Sequence, residues 1–147
     1  MPFDDADMKI LRELAVDGRM PWVELANKVG LSAPACQRRV QALTEARVIE
    51  KIAARVNPLE MGYAVEGFVS VSIDHKDVAK AKRFRKSIQG FPEVQDCHKM
   101  AGDVDYLLRV VAPDLQTFGR FVEDRILTLP GVTDTRSSIA LERIKTS

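Results

Sequence analysis

The chain has 147 residues, of which 46% are hydrophobic and 29% are charged, and its formal net charge is +1. This composition is that of a globular protein and excludes disordered and fibrous proteins, whereas the near-neutral charge neither favours nor excludes a nucleic-acid partner. The N-terminus is acidic and no apolar run approaches roughly 18 residues, so we expect neither a signal peptide nor a membrane span. Neither cysteine belongs to a CxxC pair, so we expect no disulfide framework and no metal site. We therefore expect a cytoplasmic protein.

Two short helices are predicted at the start of the chain. The first lies in DDADMKILRELAVDG, where Asp4 or Asp5 can cap the N-terminus and Gly18 can end the helix. The second lies in PWVELANKVG, beginning near Pro21 and ending at Gly30. The apolar residues at helical spacing are Met8, Leu11, Leu14 and Ala15 in the first helix, and Val23, Ala26 and Val29 in the second.

A third helix is predicted to begin at Ser32, its N-cap, and to end at about Ala46. Its buried stripe consists of Cys36, Val40 and Leu43, which recur at positions i, i+4 and i+7. Two helices joined by a tight glycine turn are typical of a helix-turn-helix motif, whose second helix enters the major groove of DNA. The alternative is a small structural domain of three helices whose third helix is merely solvated.

The residues of the third helix that point away from its stripe are candidates for contacts with DNA, since arginine and glutamine can bond base edges bidentately. Arg39 lies at the edge of the stripe, and we expect it to hold a phosphate or a neighbouring carboxylate rather than a base. The candidate DNA-binding residues of this helix are Ser32, Ala33, Pro34, Gln37, Arg38, Arg39 and Gln41.

The segment VIEKIAARVNP alternates in the manner of a strand and ends at Asn57-Pro58. A strand directly after a recognition helix is a wing, from which Lys51 and Arg55 could reach phosphates. Proline, glycine and polar residues in VNPLEMGY indicate a domain boundary. We therefore expect a winged helix-turn-helix domain over residues 1–56, a linker over 57–63 and an α/β domain over 64–147.

The second half predicts the order β-α-β-β-α-β, a ferredoxin-like arrangement, and the whole chain is then of the α+β class. The predicted strands are YAVEGFVSVSIDH, EVQDCHKMAG, VDYLLRVVA and VTDTRSSIALERI. In the third of these strands Leu107 and Val111 share one face, and Leu108 and Val110 share the other. Because helices cover only one face of such a sheet, the second apolar face predicts a dimer that forms through the sheets.

The chain resembles the Lrp/AsnC (leucine-responsive, or feast/famine) family of transcription regulators over essentially its whole length. The resemblance rests on ILRELAVDGR, VELANKVGLS and RRVQAL in the first half, and on CHKMAGDVDYLLRV, LPGVTDTRSS and LERIK in the second. It implies a winged helix-turn-helix domain that binds double-stranded DNA, joined to an effector-binding domain and requiring no cofactor. It also implies dimers that assemble into octamers, with small effectors, typically amino acids, bound between dimers.

The resemblance further implies an effector pocket. An ammonium group could pair with Asp103 or Asp105, and backbone N–H groups around Gly102 could hold a carboxylate; the alternative is that Gly102-Asp103 is only a hairpin turn. The small Ser137-Ser138 pair predicts an effector that is bulkier or more polar than leucine. The candidate effector-binding residues are Met100, Ala101, Gly102, Asp103, Asp105, Tyr106, Leu115, Thr135, Ser137 and Ser138.

Two alternatives to a regulator fit parts of the sequence. Sirohaem decarboxylases resemble this family in both domains, but they rely on histidine and arginine around a macrocycle. This chain has only His75, which we expect at the surface, and His98, which we expect to be packed in its strand. The other alternative is a metabolite sensor that has lost DNA binding, since the first half is nearly neutral. We expect a regulator and not an enzyme.

Overall fold

The chain divides into two units, of which the first ends at Arg55 and the second begins at Val56. Within residues 3–55, the first unit contains three helices. The computed structural model describes residues 3–145. The helices are α1 (Asp5–Val16), α2 (Trp22–Val29) and α3 (Ala33–Glu45). Their apolar sides pack into one core, whose buried residues are Ile10, Met20, Leu25, Ala26, Val29, Cys36, Val40 and Leu43.

The ends of these helices are fixed by local hydrogen bonds. Asp4 caps α1, since its Oδ1 accepts a hydrogen bond from the Asp7 N–H at 2.8 Å while the Asp7 carboxylate accepts one from the Asp4 N–H. Gly30 ends α2 in the left-handed region at φ 76°, where glycine carries no steric cost. Ser32 caps α3, as predicted, because its Oγ accepts a hydrogen bond from the Ala35 N–H at 3.3 Å.

Three details of the predicted helices are wrong. Helix α1 buries Ile10 completely, whereas Met8 is 41% exposed, and α2 buries Leu25 instead of Val23. Helix α1 ends at Val16, and its C-cap is Asp17 in an extended conformation instead of a left-handed Gly18. Gly18 is needed for space instead, because a Cβ there would lie 2.9 Å from the Cγ2 of Ile52.

The predicted wing strand is not present in the described chain. Residues 50–57, including Lys51 and Arg55, are exposed and adopt neither helix nor strand. A strand needs a hydrogen-bonded partner, and the first unit contributes only helices to the described residues. Alternation of apolar and polar side chains is therefore not sufficient to predict a strand here. Lys51 and Arg55 lie on an irregular segment.

Over its described residues, the second unit consists of four strands and two helices, with a π-helical turn after the second helix. The elements are β1 (Val65–Ile73), α4 (Val78–Gln89), β2 (Val94–Lys99), β3 (Tyr106–Ala112), α5 (Leu115–Phe121), a π-helical turn (Val122–Ile126) and β4 (Val132–Ile139). The strands form an antiparallel sheet in the order β2-β3-β1-β4, which confirms the ferredoxin-like arrangement. Strand β4 ends at Ile139, earlier than the predicted Ile144.

No helix within residues 3–145 has the length and apolar character that a membrane span requires.

One face of the sheet packs against the helices. Phe84 of α4 is fully buried, and its ring centroid lies 4.8 Å from that of Tyr106 on β3. Phe118 of α5 approaches β1 so closely that a Cβ at Gly67 would lie 2.5 Å from its Cζ. Glycine is therefore required at this crossing of helix and strand.

The other face of the sheet is mixed, which corrects the expectation that it is apolar. Phe68 is 40% exposed on this face, but Arg109 lies beside it and pairs with Glu66 at 3.0 Å and with Asp96 at 2.6 Å. Arg143 also pairs with Glu66, at 2.6 Å. Burial raises the pKa of Glu66, but hydrogen bonds from Arg143 and Arg109 outweigh it and hold that pKa below its usual value.

Candidate DNA-binding surface and effector site

Helix α3 presents a polar surface on the side opposite to its buried stripe. Gln37 and Arg38 lie in its first half and make no side-chain hydrogen bond or ion pair with any residue among 3–145. Gln41 donates from Nε2 to Glu45 Oε1 at 2.9 Å. The hydroxyl of Ser32 is used in capping the helix. The predicted candidates on this helix that are exposed are Ser32, Pro34, Gln37, Arg38 and Gln41.

Arg39 was predicted to hold either a phosphate or a neighbouring carboxylate, and in the structure it pairs with two carboxylates. Its Nη1 lies 2.7 Å from Asp4 Oδ2 and 2.8 Å from Asp7 Oδ1. Hydrogen bonds to Asp7 and Asp4 raise the pKa of Arg39. The pKa of Asp4 is lowered by the Asp7 N–H first and by Arg39 second. This cluster ties the start of α1 to α3 and so fixes the orientation of the candidate recognition helix.

The turn between β2 and β3 contains the most compact part of the predicted effector site. The Met100 N–H donates to the carbonyl oxygen of Asp105 at 2.8 Å, which closes the turn. Gly102 has φ 131°, and a Cβ there would meet nothing within 4 Å. A ligand could therefore approach the backbone at this glycine without displacing a side chain.

The two carboxylates that could pair with an ammonium group differ in their surroundings. Asp105 accepts a hydrogen bond from the Ile73 N–H at 2.8 Å through Oδ2, and its Oδ1 lies 2.8 Å from His75 Nε2. Asp103 is exposed and makes no hydrogen bond or ion pair with the residues that the structure describes. Asp103 is therefore the carboxylate with free acceptor oxygens.

Leu115 lies far from this turn within one chain, whereas Thr135 lies near it. Tyr106 and Ala112 mark opposite ends of β3, about 20 Å apart at ~3.3 Å per residue. Leu115 follows the Ala112 end, and the turn precedes the Tyr106 end. Thr135 pairs with Val71 on the helix-covered face, near the turn.

Ser137 and Ser138 are adjacent strand residues, paired with Val69 and Phe68, and they point to opposite faces of the sheet. They cannot both enlarge one pocket within a single chain. A site that includes Leu115, either serine and the glycine turn would need more than one copy of the chain.

Two histidine expectations have different outcomes. The side chain of His75 is 74% exposed, as predicted for a surface residue. His98 lies on β2, but it is exposed instead of packed, because it pairs with Leu107 on the mixed face of the sheet, opposite to the helix-covered face. Among residues 3–145 no group of three or more histidine, cysteine, aspartate or glutamate side chains could hold a metal ion.

An open groove between α4 and β2 was not predicted from the sequence. Arg85, Cys97, Lys99 and Tyr106 line it, and only Tyr106 was a predicted site residue. The available signal was the position of Arg85 directly after the buried Phe84 in a helix of the second unit. That position alone does not reveal which strand the arginine faces.

Known proteins resemble both units. Residues 3–44 match the AsnC-type helix-turn-helix domain, and residues 66–147 match the Lrp/AsnC ligand binding domain. The chain is 40% identical to the Bkd operon transcriptional regulator of Pseudomonas aeruginosa, over 96% of this chain and 92% of that protein. It is 35% identical to the leucine-responsive regulatory protein of Escherichia coli, over 98% of this chain and 88% of that one.

A solved structure of another transcriptional regulator is also similar to this chain. The crystal structure of a transcriptional regulator from Neisseria meningitidis in complex with L-methionine matches with a TM-score of 0.95 and 36% sequence identity. The match covers 99% of this chain and 94% of that one. The chain thus belongs to the Lrp/AsnC family of DNA-binding transcriptional regulators, with its helix-turn-helix domain in the first unit and its ligand-binding domain in the second.

Proposed function

We propose that this regulator reads double-stranded DNA with the exposed face of α3 and that an amino acid bound at the Gly102 turn changes its assembly or its affinity for DNA. The observation that carries the DNA assignment is the exposed pair Gln37 and Arg38 on a helix that Ser32 caps and Gly30 precedes. Both side chains can bond base edges, and the N-terminal half of a recognition helix is the part that meets them.

The other candidates have supporting roles. Arg39 holds the helix against α1 through Asp4 and Asp7. Lys51 and Arg55 lie on the exposed segment after α3 and can contact phosphates from an irregular backbone. Phosphate contacts position the protein, whereas base contacts set its preference for sequence.

The amino acid site rests on Asp103 and Gly102. Asp103 is the carboxylate that can accept a bond from an ammonium group, because Asp105 is already held by Ile73 and His75. The backbone at Gly102 is open to a carboxylate. The Neisseria meningitidis regulator in complex with L-methionine supports an amino acid as the class of ligand. Leu115, which follows the far end of β3, would be brought to the site by a second copy of the chain.

We expect a homodimer that forms through the mixed face of the sheet and assembles further into octamers, as the family resemblance implies. Phe68, 40% exposed on this face, is the side chain that gains most from being covered. The regulator acts in the cytoplasm, where its DNA lies, and it performs no catalysis.

Calorimetry of the full-length chain with a panel of amino acids tests the effector assignment. Asp103→Asn should weaken the best ligand by about 10- to 100-fold, since a hydrogen bond to a charged group contributes ~1.5–3 kcal/mol. Glu60→Gln, an exposed change outside the turn, is the matched control and should bind as the wild type does. Equal affinity in Asp103→Asn would remove the turn from the site, and a clear preference for leucine would refute the expectation of a bulkier or more polar effector.

A further inference from the structure

A groove of about 500 Å³ lies between helix α4 and the edge strand β2. This volume lies within the range of small-molecule pockets, roughly 300–1,000 Å³. Arg85 and Ile88 of α4 line one side, Val94, Cys97 and Lys99 of β2 line the other, and Tyr106 of β3 lies between them. Apart from Tyr106, these residues are separate from the predicted effector site.

Two cations face this groove without a carboxylate partner. Arg85 donates from Nε to the Tyr106 hydroxyl at 2.9 Å, and its guanidinium carbon lies 5.9 Å from the centre of the Tyr106 ring. Neither Arg85 nor Lys99 forms an ion pair with the described residues. Because the Nε contact orients the guanidinium, its two Nη groups are available for a bidentate carboxylate.

The groove offers no free carboxylate to an ammonium group. Asp96 is the one acidic residue among those that line it in the described part of the chain. Its Oδ2 lies 2.6 Å from Arg109 Nε, and it pairs in register with Arg109, whose side chain belongs to the mixed face of the sheet. An amino acid in the groove would therefore leave its ammonium group without a charged partner.

The remaining lining combines the apolar side chains of Ile88 and Val94 with Cys97 and the uncharged amides of Gln89 and Gln95. Ile88 is 4% exposed and belongs to the core, and Val94 packs against the same core. Burial raises the pKa of the Cys97 thiol, and the charge of Arg85 partly opposes that shift. Both the guanidinium and the thiol belong to side chains that line the groove.

We propose that this groove is a second ligand site, which binds a small monocarboxylate that has a short apolar tail and no ammonium group. The carboxylate accepts bonds from the Arg85 guanidinium, with Lys99 adding positive charge. The tail lies against Ile88 and Val94. The site is distinct from the amino acid site at the Gly102 turn, and the regulator would accordingly respond to two chemical classes of ligand.

Alkylation of the Cys97 thiol can report whether a ligand occupies the groove between α4 and β2. Cys97 is exposed and lines the groove, whereas Cys36 is buried in the helical unit. Iodoacetamide should therefore alkylate Cys97 in the native full-length chain, as followed by mass spectrometry, and leave Cys36 unmodified while the helical unit is folded. We expect 4-methylpentanoate to slow alkylation of Cys97 several-fold and to do so at lower concentration than L-leucine, which has the same carbon skeleton plus an ammonium group.

Variants separate this site from the others. Arg85→Gln should raise the concentration of 4-methylpentanoate needed for protection by about tenfold or more, as expected for loss of a charge-assisted hydrogen bond. Arg85→Lys, which keeps the charge without the fork, should give an intermediate effect. Arg83→Gln, on the same helix but outside the groove, is the matched control and should be protected as the wild type is.

Three results would overturn the proposal: a native Cys97 that iodoacetamide cannot reach, equal protection by leucine, or protection that persists unchanged in Arg85→Gln. Asp103→Asn should leave protection by 4-methylpentanoate intact. This variant therefore distinguishes failure of the groove from failure of the amino acid site at the glycine turn.

Discussion

Replacing Arg38 with alanine is expected to weaken binding to the DNA upstream of the protein's own gene by about 1–3 kcal/mol, the cost of losing a bidentate contact with a base. Arg38 is exposed on α3 and free of contacts with the described residues, so the change should leave the fold intact. Affinities measured by fluorescence anisotropy on this DNA and on a scrambled duplex would show whether the loss is confined to the specific sequence.

Arg39→Ala is the matched control on the neighbouring position. The Asp7 side chain is only 9% exposed, and removing Arg39 deprives it of its cation. We expect a less stable helical unit without altered preference among DNA sequences. If Arg38→Ala instead weakened binding equally on both duplexes, Arg38 would be a phosphate contact and the reading of bases would lie elsewhere on the helix.

Replacing Phe84 with alanine is expected to lower the free energy of unfolding of the second unit by about 3–5 kcal/mol, the usual cost of truncating a buried phenylalanine. The side chain is fully buried, with its ring centroid 4.8 Å from that of Tyr106, so the change leaves a cavity beneath α4. Urea denaturation followed by circular dichroism would measure the loss.

Phe68→Ala makes the same chemical change on the opposite face of the sheet. Because Phe68 is 40% exposed in the single chain, its truncation should cost the fold much less and should instead shift the dimer towards monomers in sedimentation experiments. An unchanged dimer together with unchanged stability would contradict dimerisation through this face.

Features of the fold that depend on neighbouring residues could be predicted from the sequence. Ser32 caps α3 through the Ala35 N–H three residues later, and Gly30 supplies the left-handed end of α2. The buried stripe of Cys36, Val40 and Leu43 follows from helical periodicity alone. These features involve residues within about two turns of helix from one another, which is why the residue pattern predicts them.

Features that depend on distant residues could not be predicted in the same way. The inward face of α1 is set partly by Arg39, 32 positions from Asp7. Residues 50–57 alternate like a strand but pair with no strand among the described residues. The mixed face of the sheet depends on Glu66, which Arg109 and Arg143 approach from 43 and 77 positions away.

The candidate ligand sites show the same division. The glycine turn could be located from GDVDY, because the turn and the strand after it are contiguous in the sequence. The engagement of Asp105 by His75 and Ile73, which leaves Asp103 as the free carboxylate, needed the structure. The groove between α4 and β2 likewise combines residues that only the packing of helix on strand brings together.

The affinity of the full-length protein for its own upstream DNA, compared with a scrambled duplex of equal length and composition, tests the central claim most directly. At physiological salt we predict binding to the upstream DNA that is tighter by about 10³-fold or more, as is usual for specific recognition. Addition of salt should weaken binding to both duplexes through loss of phosphate contacts. Equal affinity for the two duplexes under these conditions would contradict the assignment of α3 as a helix that reads DNA sequence.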